Sequence, residues 1–155
     1  MKNNEHDRIP IAEVPDHLRI PVPDLLPTAA SHDEALGILT RAVGLSWITP
    51  VKVVKTPVEE VILRQELLRH VVEKRPDTRE RYGNFLVPTL MDPYEVWSTP
   101  HDDGERTRYI GLFQGKINFL VVTRASRDGN IFWNFVRSNP KYLNRQRTGN
   151  MLFGK

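Results

Sequence analysis

Four β-rich runs follow one another between Tyr94 and Ser138: YEVWST, RTRYIGLF, INFLVVTR and IFWNFVRS. The gaps between them carry turn chemistry, Asp102-Asp103-Gly104, Gln114-Gly115-Lys116 and Asp128-Gly129-Asn130, in residues that tolerate or require left-handed backbone. None of the gaps can hold a crossover helix, and without one consecutive strands run antiparallel. The segment therefore predicts a four-stranded antiparallel meander, with no parallel sheet expected. Alternation sorts its side chains into faces. Arg106, Arg108, Ile110 and Leu112 oppose Thr107, Tyr109, Gly111 and Phe113, and Phe119, Val121 and Thr123 oppose Leu120, Val122 and Arg124. In the last run Phe132, Asn134, Val136 and Ser138 share one side, and Ile131, Trp133, Phe135 and Arg137 the other.

Helical periodicity precedes the strands. Ser31 and Glu34 stand at capping-box spacing ahead of Leu36, Leu39 and Val43, predicting a short helix. Leu67, Leu68, Val71 and Val72 recur at three- and four-residue steps from about Arg64 to Arg75, where Pro76 ends the pattern, and His70 lies beside that stripe. A second start follows, with Asp77 as cap, Glu80 three residues on, and Tyr82, Phe85, Leu86 and Leu90 as the buried face. Its exposed side would show Arg79 and Arg81, and Pro88 should kink or shorten it. Between these helical patterns, VKVVKTP and VEEVIL divide at Pro57 and read as a strand or hairpin at the edge of the domain. Asn139-Pro140 opens a short basic helix that gives way to an apolar tail, Met151-Leu152-Phe153. Helices followed by an antiparallel sheet make the class α+β, with the helices on one sheet face.

The expected organisation is a Pro-rich linker or docking arm over 1–30, a helical and extended connector over 31–55, and one domain over 56–155, since 155 residues suit a single core. No apolar run is long enough to span a bilayer and the first residues lack a signal-peptide layout, so no membrane partner is expected. With no cysteine and five scattered histidines, neither a disulfide framework nor a zinc site is expected, and no cofactor is. Charge is lopsided: from Glu105 to Lys155 ten Lys/Arg face two acidic residues, +8, while the first 104 residues hold twelve against seventeen, −5. A basic third of this kind suits a large anion, RNA or DNA, or a solvated surface.

The chain has no P-loop, no GxSxG elbow, no GxGxxG after a strand and no grouped carboxylates for a two-metal nuclease. Phosphoryl chemistry here would be metal-free. RNA permits that, because its own 2′-hydroxyl can attack the adjacent phosphate once a base removes the proton, leaving a 2′,3′-cyclic phosphate. Such an enzyme needs a proton acceptor, a proton donor and groups that hold the charged phosphorus. His70, the arginines Arg75, Arg79 and Arg81, and a sheet face carrying Tyr109, Thr123, Asn134 and Ser138 could supply them. The ordinary readings stand beside this: an edge histidine bonded to Glu66 or Glu73, a solvated arginine face, tryptophans in the core, and Arg145 and Arg147 as part of a basic tail.

The succession TPVEEVIL, LLRHVVEKRPDTRERYGNFLVPTLMDPYEVW, RYIGLF, LVVTRASRDGNIFWNF and LNRQRTGNMLFGK resembles the nuclease domain at the C-terminus of Mu-like phage minor head proteins (protein F) and of polymorphic bacterial toxins. This is the phage branch of the barnase/EndoU/colicin/RelE-like superfamily, and the resemblance covers about residues 56–155. It implies two N-terminal helices on a four-stranded antiparallel sheet and a metal-independent endoribonuclease aimed at tRNA or other translation RNA. Carried over by position, His70 is the helix histidine acting as base or acid, and Arg81, Tyr109, Thr123 and Asn134 complete the catalytic set. Arg75, Arg79, Arg108, Ser138, Arg145 and Arg147 are the phosphate-binding candidates. Where related head proteins often have Gly after TPV, this chain has Glu59. The resemblance also implies action in a cytoplasm after delivery by a phage particle or secretion system, an acidic immunity protein or antitoxin as partner, and a monomer when free. A non-catalytic module of phage head assembly, or of RNA or protein binding, stays open beside it.

Overall fold

The computed structural model describes residues 8–73 and 78–155. The predicted first helix forms as α1 (His32–Ala42), with Ser31 Oγ accepting from the Glu34 amide and Glu34 reaching back to the Ala30 amide. The edge hairpin forms as β1 (Val51–Lys55) and β2 (Glu60–Arg64), paired antiparallel. Helix α2 (Gln65–Glu73) follows without a break and buries Leu68, Val71 and Val72. Where a second long helix is expected, a 3-10 turn (Arg79–Phe85) leads into a short α3 (Leu86–Met91). Pro88 falls in the first turn of α3, where its missing N–H costs no helical bond. The Asp77 cap lies outside the described residues. Glu80 is buried and its carboxylate accepts from the Ala29 amide.

The meander forms as β3 (Glu95–His101), β4 (Gly104–Phe113), β5 (Ile117–Ser126) and β6 (Gly129–Arg137), all antiparallel. Helix α4 (Pro140–Arg145) starts at Asn139, whose side chain accepts from the Tyr142 amide, and the apolar tail becomes β7 (Asn150–Gly154) on β3. The expected four-stranded sheet is thus a seven-stranded one, in the order β1-β2-β6-β5-β4-β3-β7. The expectation of no parallel pairing also fails: β2 runs parallel to β6. The whole of α2, α3 and the meander serves as the connection, far longer than any gap inside the meander.

Two cores cover the two faces. On one, α1, α2 and α3 pack over Val96, Tyr109, Val121, Phe132 and Phe135. On the other, Trp97, Ile110, Leu112 and Leu120 lie under α4 and the N-terminal segment, which contributes Ile11 and Val14. Arg19 pins that segment: it is buried and donates to the carbonyls of Val14, Ile11 and Phe113 and to Asn118 Oδ1.

Candidate nucleic-acid interface

A break in strand pairing makes the site. Only Val61–Asn130 and Ile62–Ile131 pair between β2 and β6, after which the chain of β2 turns away into α2. Among the described residues, no strand therefore lies on the outer edge of β6 beyond Ile131. β6 also carries a bulge, since Val122 faces Asn134 while Thr123 faces Phe132, leaving Trp133 as the extra residue. The simple alternation expected along this strand is overturned there: Phe132 and Phe135 share the helix-covered face although three residues apart.

Arg79 fills the exposed edge. Expected on a solvated helix side, it is only 5% exposed and donates Nη1 to Asn134 Oδ1 (2.8 Å) and to the Phe135 carbonyl (2.7 Å). A buried strand-edge carbonyl must find a donor, and a guanidinium supplies one with its charge. Around these bonds opens a cleft of about 310 Å³ lined by Arg79, Asn134, Arg137, Ser138, Tyr142 and Arg145. A second hollow of about 260 Å³, beside Tyr82 and Phe135, shares Arg79 and Arg137. Arg137 is exposed and donates to Tyr82 Oη (2.9 Å), its guanidinium 5.4 Å from that ring's centre. His70 meets the same stretch of β6: its ring is 5.8 Å from that of Trp133, next to Asn134.

The sheet face opposite α1–α3 carries further cations. Arg108, Val122 and Asn134 form one row across β4, β5 and β6, and Arg106, Arg124 and Ile131 form the next. Arg124 lies over the Trp133 ring at 4.8 Å. Arg108 donates to the Thr148 carbonyl (2.5 Å) and hydroxyl (3.3 Å).

The structure thus brings Arg79, Asn134, Ser138 and Arg145 to one cleft, with His70 against Trp133 on the same strand but in the lining of neither hollow, and Arg108 on the adjoining face. Arg81 is exposed and lines neither hollow, and Arg75 lies outside the described residues. Three expected site residues sit elsewhere. Tyr109 and Thr123 do not floor a cleft: both are fully buried beneath the helices. Tyr109 Oη donates to Glu59 Oε1 (2.7 Å), Thr123 Oγ1 to the same oxygen (3.2 Å), and Thr56 Oγ1 lies 3.1 Å from Tyr109 Oη. Burial pushes the Glu59 carboxyl up, partly offset by these two bonds, and burial pushes the Tyr109 phenol up as well. Glu59 is the acceptor of the cluster. Arg147 is no surface cation either: it is buried and grips Glu95 with Nε and Nη2, both at 2.8 Å.

Sequence reading missed Arg137, Tyr142 and Trp133 as site residues. Arg137 and Tyr142 flank Ser138 in the sequence, which is a usable signal; Trp133 resembles a core residue until the bulge turns it out. Among the described residues no group of three His, Cys, Asp or Glu side chains is placed to hold a metal ion, and no helix is long and apolar enough to cross a membrane.

Helices backing one face of a largely antiparallel sheet, with guanidinium groups gathered at a strand edge and on the adjoining face, define a domain built to handle a polyanion. The model of the phage-Barnase-EndoU-ColicinE5/D-RelE like nuclease2 family matches residues 39–154, and the chain belongs to that nuclease family. Comparison with curated proteins and with solved structures returns no match.

Proposed function

We propose that the protein is a metal-independent endoribonuclease of the toxin type, cutting RNA by attack of a 2′-hydroxyl on the neighbouring phosphate to leave a 2′,3′-cyclic end. The observation that carries this reading is the cleft at the β6 edge, where Arg79, Arg137 and Arg145 converge with Asn134 and Ser138, on the strand whose Trp133 meets the ring of His70. Developing charge on a five-coordinate phosphorus is stabilised by donors fixed in advance, and the Arg79 guanidinium is anchored by two short bonds to β6. His70 is the proton-handling group, taking the 2′ proton or returning one to the leaving 5′ oxygen.

The substrate class we infer is structured RNA such as tRNA, acted on in a cytoplasm, the enzyme arriving by phage particle or secretion. An acidic immunity protein or antitoxin complementary to the basic face would hold it in check. The test is incubation of the purified protein with total bacterial RNA in excess EDTA, with chemical analysis of the new ends. Discrete cuts with cyclic ends are expected, and His70→Ala should lose turnover by roughly 10²-fold or more while keeping RNA affinity. Cleavage retained by His70→Ala removes the assignment of His70; no cleavage by folded wild-type protein leaves a binding module in its place.

A further inference from the structure

Arg106 and Arg124 face each other directly across β4 and β5. Like charges placed directly opposite on a sheet are unfavourable, so such a pair needs a counter-anion. The resident one is Asp103, in the turn between β3 and β4: its Oδ2 lies 3.1 Å from Arg106 Nη2 and 3.5 Å from Arg124 Nη2. The match is incomplete, because the Nε atoms of Arg106, Arg124 and the neighbouring Arg108 are buried and find no hydrogen-bond partner among the described residues. Both arginine side chains are partly shielded, at 30% and 31% exposure, and the Arg124 guanidinium lies over the Trp133 ring. Asp103 is the more exposed member, at 43%.

We propose that Arg106 and Arg124 form a subsite for a non-scissile phosphate of the RNA chain, and that Asp103 occupies it as an internal phosphate mimic displaced on binding. The inference rests on the nuclease reading above for its substrate. The geometry places the subsite one side-chain row from Asn134. Successive residues on one strand face lie about 6.8 Å apart and neighbouring strands about 4.8 Å, a spacing on the scale of one nucleotide step from the cleft. A backbone phosphodiester, like the Asp103 carboxylate, spreads one negative charge over two unesterified oxygens, so it can take the place of Asp103 across the Nη2 atoms of both arginines. Because Asp103 competes for the arginines, weakly bound anions are turned away and a chain that also engages the cleft is admitted.

The test measures binding of a short 2′-O-methyl RNA oligonucleotide, which lacks the attacking hydroxyl and stays intact, as a function of salt. Asp103→Asn should bind about two- to fivefold tighter at low salt, whereas Asp102→Asn, the same charge change one residue away, should leave affinity near wild type. The Arg106→Gln/Arg124→Gln double variant should lower the slope of log affinity against log salt by about 0.7 for each phosphate that is no longer neutralised. Equal effects of Asp103→Asn and Asp102→Asn, or an unchanged slope in the double variant, overturn the subsite. If the variants show these binding effects and the wild-type protein cuts no RNA, the nuclease reading fails and the subsite stands.

Discussion

Glu95 accepts four side-chain hydrogen bonds. It is fully buried on the face away from α1–α3, and it accepts from Arg147, Arg8 and the Trp97 indole. Burial alone would raise its carboxyl, but the bonds from Arg147, Trp97 and Arg8 outweigh it and hold the group below the usual carboxylate range. A folded-state value below the unfolded one adds stability that is fully present above the unfolded value and is lost as pH falls through the folded one. Arg147→Ala should therefore cost about 3 kcal/mol at neutral pH, the low end for breaking a buried pair because Arg8 and Trp97 remain. It should also shrink the loss of stability on acidification, and urea denaturation at several pH values checks both. The same substitution should leave the salt slope of RNA binding unchanged, since Arg147 does not face the cleft. In sequence Arg145 and Arg147 look alike; one lines the cleft and the other braces the core, because α4 ends between them.

At the scale of elements, the fit of α3 onto the sheet depends on Gly111, near the C-terminal end of β4. A Cβ there would fall inside the van der Waals shell of the Thr89 side chain. Thr89 itself is fully buried and donates its hydroxyl to the Phe85 carbonyl. Gly111→Ala should overpack this approach and destabilise the fold by about 1–3 kcal/mol, measurable as a lower midpoint in thermal or urea unfolding. The turns of the meander, the capping of α1 and the helix holding His70 are all legible in local residue patterns, because caps and tight turns are short-range chemistry. The β6 bulge is not. IFWNFVRS alternates plausibly in either register, and only the partner strand, through the Val122–Asn134 and Thr123–Phe132 pairs, decides which side chains go inward.

For the whole molecule, the segment before α1 is part of the sandwich. Ile11 and Val14 are buried against Trp97 and Leu112, Ile20 bridges to Phe113, and Arg19 ties the backbone of both together. The family match begins at residue 39, inside α1, yet residues 8–20 close one face of the sheet. Removing residues 1–30 should cost on the order of 3–6 kcal/mol from the two buried aliphatic side chains alone. Unfolding in urea would register it as a lower midpoint; an unchanged midpoint would mean that the segment contributes nothing to the core.

What the sequence determined by itself was local or compositional: the meander and its turns, the α+β order, the edge hairpin and the basic last third. Hydrophobic period, capping and turn chemistry act over a few residues, so they can be read without knowing the partners. The tertiary structure decided what long-range pairing decides. Parallel docking of β2 on β6 for two residue pairs opened the strand edge that Arg79 enters, the bulge turned Trp133 toward Arg124 and His70, and burial assigned Tyr109 and Thr123 to Glu59 rather than to the cleft. An arginine or a tyrosine carries the same letter in a core brace and in a binding site, and only its neighbours in space separate the two.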